Sequence, residues 1–505
     1  MKSKVWGGVT ITLLAAMALP VGVMAQDGKV PPGMHHHFQL IDLGTLGGPN
    51  SYLPASFFEG IATQSLSRAG TFAGQADTAI PDPYAPNCFN PDCFVSHAFQ
   101  WRAGALTDLG TLPGPGDLSS TASWVSTNGL IAGFSQNGEI DPLLPGFPEL
   151  RAVLWKHGKI TDLGTLEGGY ESVATAVNTR GHAVGLAINT IPDAYSLVGF
   201  PTQTRAFRWQ NGAMQDLGTL PGGTDAVALL VNESGQIVGQ SYTADSIPPP
   251  TPSCSDFPLT LHGFLWEKGK MVDLGTLGGS CAFTYSLNNR GQVVGQATLA
   301  GDQTSHPYIW DRKTMIDLGT LGGTYGYATW INDPGAVVGS ATDQGDQALL
   351  AFLWKHGVIS NLGALPGNSC SAADAINSMG QIVGGSGFYA AAFFPACTDP
   401  VEHAVLWENG KTLDLNSFVP QGTDLTLNEA FFINERGEIS GFGTLSNGDQ
   451  HAFLLIPCND KHDGGGSCED GAQQASVSPS SSFAPPPFGP TVRNLPGISR
   501  SQRRH

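Results

Sequence analysis

Five histidines, His97, His262, His306, His403 and His451, each lead a short apolar phrase of the type His-Ala-Phe-Leu-Trp. A ring of imidazoles at one repeated position could hold a transition metal. Seven aspartates, Asp42, Asp108, Asp162, Asp216, Asp273, Asp317 and Asp414, each open an "Asp-Leu-Gly" or near relative, and Asn361 stands in their place once. Carboxylates in a circle would suit calcium or general acid–base work. Within the chain, however, Arg151, Arg205 and Leu350 fill the histidine slot in other copies. A position that accepts arginine and leucine is a strand position rather than a ligand. Asn361 likewise points to a turn or strand-end hydrogen bond for the aspartates. His35, His36 and His37 read as a solvated lead-in, and Asp343 with Asp346 lacks the ligand density of a calcium loop. No G-x-S-x-G elbow, H-E-x-x-H helix or P-loop occurs. No catalytic residue, metal or cofactor is assigned.

The elements that carry these residues recur eight times. After each "DLG" come an apolar residue, a polar pair with glycine, and a "VVG"-like strand. The apolar residues are Leu66, Val125, Val177, Val231, Leu287, Ile331, Ile376 and Ile433. The closing glycines are Gly74, Gly133, Gly185, Gly239, Gly295, Gly339, Gly384 and Gly441, always eight positions on. The "HAFLW" phrase follows, and from its tryptophan to the next "DLG" is always seven positions. The other two connections vary, from 14 to 24 and from 10 to 23 positions. We name the strands A ("ITDLG"), B ("AFTYSLN"), C ("GQVVGQA") and D ("HAFLW"). Asn-x-x-Gly turns join B to C, and x-Gly hairpins join D to A. In a consecutive antiparallel sheet these two fixed turns share one face, and the variable A–B and C–D connections share the other.

Four short strands cannot bury their apolar sides alone, so neighbouring units must stack. The tryptophans that end strand D are expected in the core. The array starts on strand A (residues 38–43) and ends on strand D (residues 451–456), so only a D–A pairing is missing. Placing the two ends side by side would complete it and remove exposed edges. The expectation is therefore an all-β fold, a β-propeller of eight four-stranded blades, with seven blades or an open β-solenoid as alternatives.

The motif "DLGTLGG…INxxGQVVG…HAFLW" over residues 38–456 resembles the extracellular HAF-repeat family. That resemblance implies export and a repeat array, and it transfers no catalytic residue.

The rest of the chain bounds its setting. Lys2 and Lys4 precede an apolar run, and Val23-Met24-Ala25 offers a cleavage site, so residues 1–25 read as a secretory signal peptide. Residues 26–37 read as a linker and residues 457–505, rich in Gly, Ser and Pro, as a disordered tail. No later apolar stretch is long enough to span a membrane. A formal net charge of −18 disfavours nucleic acid as a partner. An exported chain with eight cysteines favours disulfides. Locality suggests Cys88–Cys93 and Cys458–Cys468, with Cys254–Cys281 and Cys370–Cys397 as the other pairs.

The variable face carries aromatic residues beside carboxylates, which suits carbohydrate or protein recognition. Its candidates are Asp82, Tyr84, Phe89, Asp92, Asp193, Tyr195, Phe257, Phe388 and Tyr389. The leading expectation is a secreted, monomeric, non-catalytic protein that binds a protein or polysaccharide there. The alternatives are a polysaccharide hydrolase or lyase with carboxylates at the central channel, and a structural surface component.

Overall fold

Fixed spacings become fixed hairpins. In the computed structural model the described residues are 37–54, 63–246, 259–387, 399, 402–420 and 422–458. The third repeat shows the unit: strand B is Ser172–Val177, C is Ala183–Pro192, D is Thr202–Gln210 and A is Ala213–Asp216. They pair antiparallel in the order B-C-D-A. The B strands lie innermost, and two of them, Ser120–Val125 and Ala226–Val231, are buried at every residue. The A strands, such as Lys159–Asp162, are the exposed outer edge. Small and aliphatic residues fill the first kind and polar residues the second, so burial alone sets the radial order.

Eight such sheets form, each with four strands, and a single parallel bridge, Ser305 to Tyr325, ties the fifth to the sixth. The eighth is completed from the chain's start. Strand Phe38–Asp42 pairs antiparallel with Gln450–Pro457, with Leu40 opposite Leu455 and Asp42 opposite Phe453. The propeller is thus closed, and neither seven blades nor an open solenoid is formed. Copy eight contributes a full blade despite its irregular sequence.

The recurrent glycines answer to close contacts. A Cβ on Gly185 would lie 1.9 Å from the Val173 carbonyl oxygen of strand B, and one on Gly239 would lie 1.9 Å from that of Val227. All eight closing glycines meet the inner strand this way, at 1.8–2.4 Å. At the D–A hairpins two successive residues take left-handed conformations, as at His157 (φ 52°) and Gly158 (φ 74°), which matches the twist of the flanking strands. The fifth hairpin alone has no glycine, and Lys313 carries φ 75° there.

The B–C turns do more than reverse the chain. Asn178 Oδ1 accepts the N–H groups of Arg180 and His182, as expected for an Asn turn. Its amide also donates to the Asn232 carbonyl in the next blade at 3.0 Å. The same step runs from Asn232 to Asn288, Asn288 to Asn332, Asn332 to Asn377, Asn377 to Asn434 and Asn434 to Ser67. Arg68 N–H to the Thr127 carbonyl and Asn128 Nδ2 to the Thr179 carbonyl link the two remaining junctions. A girdle of hydrogen bonds therefore crosses every blade junction on the fixed-turn face.

Blade one departs from the expected pattern. Its inner strand is Gly47–Tyr52, and Leu66 makes only an isolated bridge to Phe72. This copy has the longest DLG-to-apolar spacing. Of the seven strand-D tryptophans, Trp101, Trp155, Trp266, Trp310 and Trp407 are buried, and Trp209 and Trp354 are half-buried.

Candidate binding face

The five histidines that could have made a metal ring instead pair each with one of the aspartates, in five of the blades. Eleven residues separate His97 from Asp108, and the D–A hairpin brings His97 Nδ1 to 2.8 Å from Asp108 Oδ2. His262–Asp273, His306–Asp317 and His403–Asp414 repeat this within their blades. His451–Asp42 repeats it across the closure. Arg205 takes the role with Asp216, whereas Arg151 turns to Glu149. The same aspartate accepts the N–H of the glycine two residues on, as Asp108 does from Gly110. Burial would raise the pKa of Asp108, Asp273 and Asp317, but the histidine and glycine hydrogen bonds outweigh it and hold all three low. In the sixth copy Leu350 cannot pair, and Asn361 keeps only the turn bond, to Gly363.

The described parts of the variable connections leave from the strand ends opposite the fixed turns. Asp82, Asp141 and Asp193 open the C–D loops of blades one to three in one manner. The N–H of each bonds to the carbonyl at the loop's end, and Oδ1 accepts the N–H two residues on, of Tyr84, Leu143 and Tyr195. Asp82 is buried and also accepts from Phe89 N–H. Phe89 leans on Phe134, with ring centroids 5.9 Å apart. Tyr84 is half-buried. Asp92 accepts bonds from Asn50 Nδ2 and the Tyr52 hydroxyl. Among the expected residues that are described, Tyr195 is the one open to solvent, at 57% exposure. Phe257, Phe388 and Tyr389 lie outside the described residues.

Cys88 and Cys93 form the disulfide expected of them. Cys281, Cys370 and Cys458 are disulfide-bonded too. The partners expected for them, Cys254, Cys397 and Cys468, lie outside the described residues.

The axis itself is filled at one level. Trp124 of blade two and Trp330 of blade six, on opposite sides of the ring, stack with centroids 6.4 Å apart. Phe432 of blade eight meets Trp330 edge-on at 5.4 Å. All three immediately precede the apolar residue that ends strand B, near the girdle. Further inner-strand side chains lie on the variable-face side of that level. There, on adjacent inner strands, stand Tyr325 and Tyr327 of blade six, Asp374 of blade seven and Glu429 of blade eight, joined by Glu402 from the end of a C–D loop. Each is half-buried.

Burial and mutual repulsion push these carboxyls toward the protonated form. Desolvation first and the nearby acids second raise Glu402 to about 9, and desolvation raises Asp374 to about 7. Glu429, desolvated and hydrogen-bonded to Asp374, is raised well above the usual range. Sequence reading missed all three residues, because nothing in the repeat marks a carboxyl on strand B. The available signal was departure from the repeat: Asp374 and Glu429 fall at inner-strand steps where no other copy carries a carboxyl.

Further carboxyl contacts lie under the loops. Asp77, fully buried, meets Asp92, while Asn50 N–H and the Ser96 hydroxyl bond to Asp77. Glu171, at the start of the third blade, accepts from Leu150 N–H and meets Asp141 of blade two. Asp225, at the start of the fourth, accepts from Leu197 and Thr204 N–H and meets Asp193 of blade three. Desolvation raises Asp77 and Glu171 well above the carboxylate range and Asp225 to about 6.

No family model and no curated protein matches this chain. Solved β-propellers do. The β-propeller domain of the trilobed protease from Pyrococcus furiosus is 11% identical, with a TM-score of 0.40, covering 72% of this chain and 98% of that one. Oligogalacturonate lyase from Vibrio parahaemolyticus is 10% identical, with a TM-score of 0.40, covering 83% and 97%. Pyrococcus horikoshii acylaminoacyl peptidase is 11% identical, with a TM-score of 0.41, covering 80% of this chain and 59% of its own. These likenesses concern the propeller fold alone.

Proposed function

We propose that this chain is a secreted, non-catalytic binding protein of the HAF-repeat type. It takes a polysaccharide or a protein on the face of the variable connections, centred on the axial side chains of blades six to eight. The observation that carries this reading is the stacked Trp124–Trp330 pair. With the axis filled at that level, the group formed by Tyr325, Tyr327, Asp374, Glu402 and Glu429 is approached from the variable face. Protonated carboxyls and tyrosine hydroxyls beside aromatic rings offer both donors and acceptors, which favours a ligand rich in hydroxyl groups.

The same carboxyls motivate the second reading, a polysaccharide hydrolase. A general acid and a base or nucleophile would have to flank a glycosidic bond, at about 5 Å or more from each other. Asp374 and Glu429 lie against each other and so cannot flank such a bond; a cleaving pair would have to include Glu402.

The test is a glycan screen followed by calorimetric titration of any hit. Glu429→Gln and Glu402→Gln are expected to weaken binding about tenfold each, the scale of one lost hydrogen bond, with no new reducing ends released. Unchanged binding in both variants would refute the site. Release of product that stops on Glu429→Gln would establish the hydrolase instead.

A further inference from the structure

We propose that three carboxyl clasps, Asp77–Asp92, Asp141–Glu171 and Asp193–Asp225, each close a variable connection through one shared proton. The loops of blades one to three are then shut in an acidic medium and loosen as the pH rises. The geometry is specific to this face. Residues 82–93, 141–147 and 193–201 are the three loops concerned, and each contributes one acid of a clasp. In two of them the other acid begins the inner strand of the following blade, so the clasp also spans a blade junction.

Two carboxylates in contact, with at least one of them buried, repel each other strongly when both are ionised, because burial removes the screening by solvent. Asp77, Glu171, Asp225 and Asp141 are all at most 3% exposed. Backbone N–H groups satisfy one oxygen of Glu171 and one of Asp225. Asp141 Oδ2 and Asp225 Oδ2 are buried with no donor in bonding geometry. The Thr224 hydroxyl also faces Asp225, and in this proposal a proton from the facing acid meets the remaining requirement.

The other charged groups do not replace that proton. Glu149 and Arg151 face the Asp141–Glu171 clasp, and Arg151 bonds to Glu149. Arg205 lies beside the third clasp, where it bonds to the Thr224 carbonyl and to Asp216. At the first clasp the neighbours are Asn50, Tyr52 and Ser96, and His97, next to Ser96, is held by Asp108.

The sign follows from linkage. Asp77, Glu171 and Asp225 have folded pKa values raised above their unfolded ones. Their stabilisation is full below the unfolded value of about 4 and is lost as the pH climbs through the folded values, about 6 at Asp225.

Hydrogen exchange on the native chain, corrected for intrinsic rates, would read each loop at pH 5 and pH 8. Protection of residues 141–147 and 193–201 should fall on the order of tenfold, with the girdle turns unchanged. Glu171→Gln and Asp225→Asn supply an N–H in place of the proton and should keep these loops protected at pH 8. Equal protection at both pH values in the parent chain would overturn the proposal. So would amide variants that lose protection as the parent does. If an amide variant fails to fold, the parent's two-pH comparison decides alone. No ligand enters the measurement, so its outcome is independent of the binding reading.

Discussion

At the residue scale, the repeated side chains do local work that their spacing disguised as chemistry. A histidine and an aspartate eleven positions apart suggest a ligand set only until the hairpin between them is drawn. Once it is drawn, they are cross-strand neighbours, and the exchanges to Arg205–Asp216 and Leu350–Asn361 become intelligible. That much was legible, because internal repetition offers several solutions to one steric problem. What could not be read were Asp374, Glu402 and Glu429. They come together only when the inner strands of blades seven and eight are set side by side. One residue runs against the local rule: Lys313 sits at φ 75° where the other D–A hairpins place glycine. Lys313→Gly should stabilise the chain by about 1 kcal/mol, raising the thermal midpoint without altering any ligand contact. A midpoint that stays or falls would mean the lysine side chain compensates for its backbone.

At the scale of the elements, constant and variable lengths in the sequence separate the two faces. The Asn-x-x-Gly signal predicted the turn but only half of the asparagine's role. Its carbonyl oxygen serves the turn, and its amide reaches the next blade, a contact between residues 44 to 57 positions apart. Local spacing carries no information about that second bond. Asn232→Asp keeps the turn acceptor and removes the donor, leaving the Asn288 carbonyl without its partner. The expected cost is about 1–3 kcal/mol, seen as a lower midpoint in chemical denaturation. Asn232→Ala should cost more, because the turn acceptor is lost as well.

At the scale of the molecule, head-to-tail closure was deducible from where the repeats begin and end. It depends on five backbone pairings between residues 38–42 and 453–457. Ile41→Pro removes a backbone donor from that strand and should lower the thermal midpoint. It should also produce dimers or larger species on size exclusion, since an unpaired strand edge recruits another chain. A monomer with unaltered melting would show that the ring holds without this seam. Two opposing groups of acids also act at this scale. The histidine-paired aspartates lose their contribution as the pH falls through their depressed values, and the clasped ones lose theirs as it rises. Stability should therefore be greatest in mildly acidic solution.

The seam has a temporal meaning as well. The peptide that finishes the circle is translated some four hundred residues before its partner, and its first hydrogen bond beyond the sheet runs from Cys458 N–H to the His37 carbonyl at 2.9 Å. Residues 38–42 must wait, unsatisfied, for nearly the entire chain to be made. No shortened version that stops before Gln450 can offer them a place, so the circle is completed by its oldest segment, and completed last.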